Sequence, residues 1–371
     1  MPRDRVLVAL AADDPRSSFG TPARPRLPRL LVLRALGLGD LLTAVPALRA
    51  LTRAYPDHER LLAAPSELEP LVEMIEADGQ RAIHGVVDLG PLEPLPGELR
   101  GPEVAVNLHG KGPQSHRLLL ATHPRRVVWF ENREVAESWG APRWRADEHE
   151  VTRWCRLLSE SGVPADPGRL DLPAPPAGPE LLRGATIVHP GAGSPARRWP
   201  PQRFARVARA LADRGDRVIV TGAANERALA HAVARAAGLP RGSVLAGETD
   251  LRGLAQAVAA ARLVICGDTG IGHLATAFGT PSLLLFGPTP PAQWGPPPDR
   301  KQHRVLWVGR QADPHALRPD EGLLAITPAQ VLRALEGLTG HDGSRKTTEA
   351  GAASGVSPVA RREASATSYG R

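Results

Sequence analysis

Cysteine is scarce in this 371-residue chain: Cys155 and Cys266 are the only two, and each lies inside a periodic apolar segment. Two distant cysteines make neither a disulfide framework nor a cysteine-based metal cluster, so a reducing cytoplasm is the expected compartment. Long apolar runs are missing too, with nothing near the roughly 18 residues that a membrane-spanning helix needs. The opening MPRDRVLVALAADDPRSS has a brief apolar stretch, but acids follow where small residues would mark cleavage, so no signal peptide is expected. Lysine occurs only at 111, 301 and 346, and arginine supplies the rest of the positive charge. Aromatic residues make up 4% of the chain and no basic stripe interleaves with them, so the net charge of +7 does not point to nucleic acid. Much of that charge sits at the ends: six Arg against three Asp in residues 1–29, and five basic against three acidic residues in 341–371. At about 1 kcal/mol per basic residue near a membrane surface, those ends support at most weak peripheral contact.

What is present reads as a globular α/β protein long enough for two domains. Residues 1–28 look like a loose extension. The stretch 341–371, rich in Ser, Ala, Gly and Thr without apolar periodicity, reads as a disordered tail. Between them, short apolar runs alternate with helical patterns in two series, the signature of parallel sheets. In the first, residues 29–172, LLVLRA (30–35) leads through GLGD to a helix with Leu41, Val45, Leu48 and Leu51 on one face; Pro46 is expected to shorten or kink it. Further strands are expected at 60–65, 85–89, 104–108 and 126–130, and a helix near 148–161. A linker at 173–183 opens with PAPPAGP, stiff and unable to join a central strand. The second series, 184–340, has strands expected at 185–190, 217–222, 244–247, 263–268 and 281–288. Its helices are expected after Trp199-Pro200-Pro201, from Asn225, from Asp250, after Asp268 and after Thr327. Two Rossmann-like domains facing each other put a ligand cleft at the carboxyl ends of their strands.

Three stretches carry candidate chemistry. In CGDTGIGH (266–273), glycines permit close approach of backbone to ligand, and the free amides at a helix start suit a phosphate or diphosphate. Asp268 there either caps the helix or aims at hydroxyls beyond the phosphate, and His273 is either a structural hydrogen-bonder or a ligand contact. HPGAGSPARRWP (189–200) superficially matches a dinucleotide fingerprint, but Pro195 interrupts it and the next strand ends without an acid for a ribose. It leaves a loop whose Ser194, Arg197 and Arg198 can grip phosphate oxygens, the alternative being a solvated arginine pair. GLGDLL (37–42) sets Asp40 at a helix start, where the dipole is expected to lower its pKa. Asp40 is then either a cap or a general base at the cleft edge. Asn107, His109 and Gln114, in and after the strand at 104–108, are candidates for the acceptor side.

Taken together, RALGLGDLLTAVPAL, HPGAGSPARRWP, TGAANE and CGDTGIGHLATAFGTPSLLLFGPTPP resemble glycosyltransferase family 9, the ADP-heptose:lipopolysaccharide heptosyltransferase family, over about residues 29–340. The resemblance implies a GT-B fold and metal-independent, cofactor-free transfer of a sugar, heptose-like, from a nucleoside-diphosphate donor with inversion. By motif match it implies Asp40 as catalytic base. Arg197, where the family usually has lysine, falls on the diphosphate together with Thr269, Gly270 and His273. Asp268 falls on the donor sugar, Glu226 on the ribose, and Glu248 and Thr249 on the loop lining the nucleobase. The implied partners are a nucleotide sugar, ADP-heptose by family analogy, and a glycan or glycolipid acceptor of the cell envelope, handled by a cytoplasmic monomer. The rival readings are another GT-B enzyme such as a nucleotide-sugar epimerase, and a non-catalytic nucleotide-binding module. A dehydrogenase is disfavoured by the broken fingerprint.

Overall fold

The structure, a computed structural model, describes residues 27–339. Expectations for residues 1–26 and for the tail at 341–371 lie outside it. The first half of the chain runs β1 (Arg29–Leu33), α1 (Leu38–Ala54), β2 (Glu59–Ala64), α2 (Glu69–Val72), β3 (Glu76–Ala77) and β4 (Gln80–Arg81). It continues with β5 (Gly85–Asp88), β6 (Val104–Asn107), α3 (Gln114–Leu120), β7 (Arg126–Val128) and α4 (Glu150–Glu160). Five of these strands form a parallel sheet in the order β5-β2-β1-β6-β7, and β3 and β4 make a separate antiparallel ribbon.

The second half repeats the plan. It runs β8 (Thr186–His189), α5 (Pro201–Asp213), β9 (Val218–Val220), α6 (Arg227–Ala237), α7 (Leu251–Ala260) and β10 (Leu263–Gly267). Then come α8 (Gly270–Phe278), β11 (Ser282–Leu285), α9 (Pro291–Trp294), β12 (His303–Leu306), α10 (Glu321–Ala325) and α11 (Pro328–Thr339). Its parallel sheet has the order β12-β11-β10-β8-β9. The central strands β8 and β10 are buried throughout, which is why they read as unbroken apolar runs. Among the described residues no helix is long and apolar enough to cross a membrane.

Local signals account for most helix starts. Asp250 caps α7 by accepting from the Gly253 amide at 2.8 Å. Ahead of α11, Thr327 and Gln330 make reciprocal side-chain contacts to each other's amides. Three expectations need correction. Pro46 does not shorten α1, which continues to Ala54 on packing from both sides; Leu41 to Thr52 are buried without a break. The run at 244–247 forms only an isolated bridge between Val244 and Val220, because a 3-10 turn precedes it and Gly247 turns at φ +68°. And β12, at the sheet edge, was not foreseen.

The two halves meet along α1 and α8, each following a central strand. At their amino ends the backbones approach closely. A Cβ on Gly39 would lie 2.9 Å from Cδ2 of His273, and one on Gly270 would lie 2.9 Å from Cβ of Leu38. One hydrophobic core runs through this contact, from Leu41 and Val45 to Ile271 and Leu274. Around it, Leu172 donates to the Ala277 carbonyl at 2.9 Å, and Arg300 reaches both Asp171 and the Thr276 carbonyl. His149 Nδ1 accepts from the Val151 amide, so its Nε2–H donates to the Gly295 carbonyl at 2.9 Å. Replacing Gly270 with Ala should force apart α1 and α8 and cost about 1–3 kcal/mol, as overpacking does; urea unfolding of Gly270→Ala beside the parent protein measures it.

Candidate active site

Asp40 occupies the first turn of α1. The helix end favours its ionised form, as does Arg34, but burial dominates and raises the carboxyl's pKa above the ordinary carboxylate value, with Glu150 adding to the rise. The sequence-based expectation of a lowered pKa is therefore corrected: loss of water outweighs the dipole. Arg34, just beyond β1, explains why the charge is tolerated at all. Its Nη2 donates to Thr43 Oγ1 at 3.0 Å and stands 3.3 Å from Glu150 Oε1 and 3.4 Å from Asp40 Oδ1. Its Nε donates to the Asp40 carbonyl at 2.7 Å and its Nη1 to the Leu108 carbonyl. Arg34 and Glu150 are buried, whereas the Asp40 side chain keeps 28% of its surface exposed. A reacting hydroxyl can reach it.

Facing Asp40 is the start of α8. Thr269 is its extended N-cap residue and Gly270 its first helical residue, so the first amides carry the helix's partial positive charge. Asp268, just before them, is 6% exposed and receives a hydrogen bond from the Thr289 hydroxyl. Burial raises its pKa; Arg197 and Thr289 oppose that, and Asp40 reinforces it. Arg197 Nη1 lies 3.9 Å from Asp268 Oδ2 and its Nε 3.5 Å from Ser194 Oγ. The Ser194 hydroxyl donates to the Pro314 carbonyl. Its hydroxyl thus turns to that carbonyl and its oxygen to Arg197, which it braces beside the expected phosphate position. His273 packs against Gly39 and stands edge-on to Trp294 at 6.0 Å between ring centres. Burial, then His149, Arg197 and Arg34, lower its pKa to about 4, so it is uncharged at neutral pH.

The remaining nucleotide-side candidates gather behind this point. Glu226 accepts from the Ala223 amide at 2.9 Å and stands 3.9 Å from His189 Nε2. Its carboxylate covers Gly191, where a Cβ would come within 2.2 Å of it. The first glycine of HPGAG is therefore needed for Glu226, not for a dinucleotide turn. His189 Nδ1 meets Thr221 Oγ1 at 3.0 Å. Glu248 is exposed and pairs with Arg227 at 3.1 Å, and Thr249 precedes the cap of α7.

On the acceptor side, the expectation for Asn107 fails. It is fully buried, its Nδ2 donating to Ser115 Oγ at 2.9 Å with His116 Nδ1 at 3.0 Å, and its Oδ1 accepting from the His109 amide. All its polar atoms brace the loop after β6. His109 is half-buried, with burial and the nearby Arg34 lowering its pKa to about 4. Gln114 is exposed at the first residue of α3.

The family model described as Glycosyltransferase family 9 (heptosyltransferase) matches residues 120–322, more than half of the chain. The chain belongs to glycosyltransferase family 9. Lipopolysaccharide heptosyltransferase 2 of Salmonella typhimurium is 26% identical to this family 9 member over 358 residues, 85% of this chain and 99% of that one. The family 9 glycosyl transferase structure from Veillonella parvula superposes with a TM-score of 0.66 at 19% identity, covering 84% of this chain and 97% of that one. The structure of the Escherichia coli ADP-heptose lps heptosyltransferase II also gives 0.66, at 22% identity, over 84% and 98%. The fold is GT-B, and the protein is a glycosyltransferase.

Several residues of this glycosyltransferase's cleft escaped the sequence. Arg34 ends the first buried strand, but its tie to Glu150 spans 116 residues. Thr289 lies in the GPT-x-P stretch, which gave no hint that its hydroxyl serves Asp268. Asp268 also carries a stability consequence. Its raised folded pKa means that the native state keeps a proton the unfolded chain has released, so stability falls as pH climbs from the ordinary carboxylate range through the folded value. Asp268→Asn should therefore be more stable than the parent at pH 7, by about 1 kcal/mol, and the gain should vanish in acid. Thermal melts at pH 4 and pH 7 without ligand check this.

Proposed function

We propose that this protein transfers heptose from ADP-heptose to a hydroxyl of a lipopolysaccharide-type acceptor, with inversion at the anomeric carbon. The observation that carries the reading is the convergence, at the α1–α8 contact, of one reachable carboxylate, a helix amide end and an arginine. In this reading the donor diphosphate rests on the amides that open α8 and on Arg197, a fork that offers two oxygens a paired hydrogen bond where a lysine offers a point charge. Asp268 takes the donor sugar's hydroxyls, Glu226 the ribose, and the backbone around Glu248 and Thr249 the nucleobase. The donor and acceptor are those for which the Escherichia coli neighbour is named.

Asp40 accepts the acceptor's proton while its oxygen bonds to the anomeric carbon and the bond to the diphosphate breaks. Burial makes this carboxylate a stronger base, and Arg34 favours its ionised form. The charge growing on the leaving diphosphate meets groups already fixed in place, an arrangement in which each donor is worth about 3 kcal/mol. The nucleotide sugar is a substrate and the reading calls on no cofactor. Both faces of the cleft come from one chain, which supports action as a monomer, and the donor's chemistry suits the cytoplasm. The family assignment does not favour the epimerase or the non-catalytic module.

Asp40→Asn should bind ADP-heptose as the parent does, by calorimetry, and lose transfer by about 100-fold or more. Parental turnover in that variant would remove Asp40 from its role.

A further inference from the structure

We propose that Glu150 is a positioning residue for Asp40, acting through the Nη2 group of Arg34 that the two carboxylates share. The proposal rests on the reading of Asp40 as the base. An Nη2 group has two protons, yet three acceptors surround this one: Thr43 Oγ1 at 3.0 Å, Glu150 Oε1 at 3.3 Å and Asp40 Oδ1 at 3.4 Å. The contact to Asp40 is the longest of the three. By competing for those protons, Glu150 keeps Arg34 from closing onto Asp40, so the carboxylate keeps a positive neighbour while its oxygens stay free for a substrate hydroxyl. Without that competitor, Arg34 would form a tight pair and occupy an oxygen the reaction needs.

Glu150 is itself rigid. Its other oxygen pairs with Arg153, whose guanidinium is held by the Arg145 and Glu148 carbonyls and lies over the Trp144 ring at 4.2 Å. The Trp154 indole N–H donates to Glu150 Oε1 at 2.9 Å, and the Trp154 ring lies under the Arg34 guanidinium at 4.7 Å. A carboxylate with three such partners, one of them 116 residues away in sequence, does more than open α4. Position and charge at Asp40 are both set through it.

The groups facing Asp40 are few. From the turn after β1 comes Arg34, from α4 Glu150, from the loop after β8 Arg197, and from the turn before α8 Asp268. His109, beside Arg34, and His273, against the start of α1, have pKa values near 4 and stay neutral above pH 5. Asp268 pairs with Arg197, not with Arg34. Changing Glu150 therefore alters the titration through Asp40. Glu150 is a negative neighbour that raises the proton affinity of Asp40, so its removal lowers that affinity, and the freed Arg34 lowers it further.

The test is a pH titration of the Asp40 carboxyl carbon by NMR in the full chain, with Asp40→Asn to assign the signal. Glu150→Gln should move the Asp40 midpoint to lower pH by about half a unit or more. It should also cut kcat by about tenfold or more while donor binding is unchanged. If Glu150→Gln does not fold, Glu150→Asp, which draws the carboxylate back from Arg34, should shift the midpoint the same way by less. An Asp40 midpoint that stays put in whichever variant folds overturns the proposal, even if activity falls. Because the titration needs no turnover, it stands apart from the base reading, which fails separately if Asp40→Asn still transfers sugar.

Discussion

A single buried guanidinium ties the first half of this molecule to its chemistry. Arg34 directly follows β1, holds the first turn of α1 through the Asp40 carbonyl, reaches the loop after β6 through the Leu108 carbonyl, and meets α4 through Glu150. Four segments thus converge on one cation that is 1% exposed. Such a group is tolerated only because it is paired and fully hydrogen-bonded, and deleting one partner of a buried pair typically costs about 3–5 kcal/mol. The geometry of the Asp40 carboxylate is therefore inherited from the fold and not adjusted locally. Arginine suits this task better than lysine, since five donors in a fixed plane can serve several acceptors at once.

The cleft sets a second pattern beside this one. Asp40 and Asp268 both have raised proton affinity, Asp268 partly through Asp40, and Arg197 lowers both. Two acids around one partly exposed arginine make a poor arrangement for an empty protein. On the proposed reading it becomes a good one once an anion with attached hydroxyls arrives, the anion meeting the arginine and the helix amides and the hydroxyls a carboxylate. Polar groups left under-served in the free state are a common cost of function.

The fold was legible in the sequence where physics is local. Parallel strands buried on both faces read as continuous apolar runs, and Asp250 and Thr327 announced helix starts by their capping chemistry. Legibility ended where a non-local contact decided the outcome. Pro46 failed to shorten α1 because packing against α8 and α4 outweighs one missing hydrogen bond, and Val244 to Gly247 failed to form a strand because the chain turns away on both sides. In the site, GLGD and DTG were visible as loops opening helices. Asn107 was misjudged because a place at a strand's carboxyl end does not say which way its side chain turns, and here it turns into its own loop. Glu150 was invisible, since nothing in DEHE hints at an arginine more than a hundred positions earlier.

The close contact of Gly39 and Gly270 with the opposing helix bears on how the enzyme moves. Where backbone packs on opposing side chains so closely that a methyl group would collide, one half cannot slide across the other without a clash. The floor of the cleft, where the carboxylate and the helix amides lie, is therefore the part of the molecule whose spacing is most tightly fixed. An enzyme built this way can admit and release bulky molecules without having to reassemble its chemistry at every cycle.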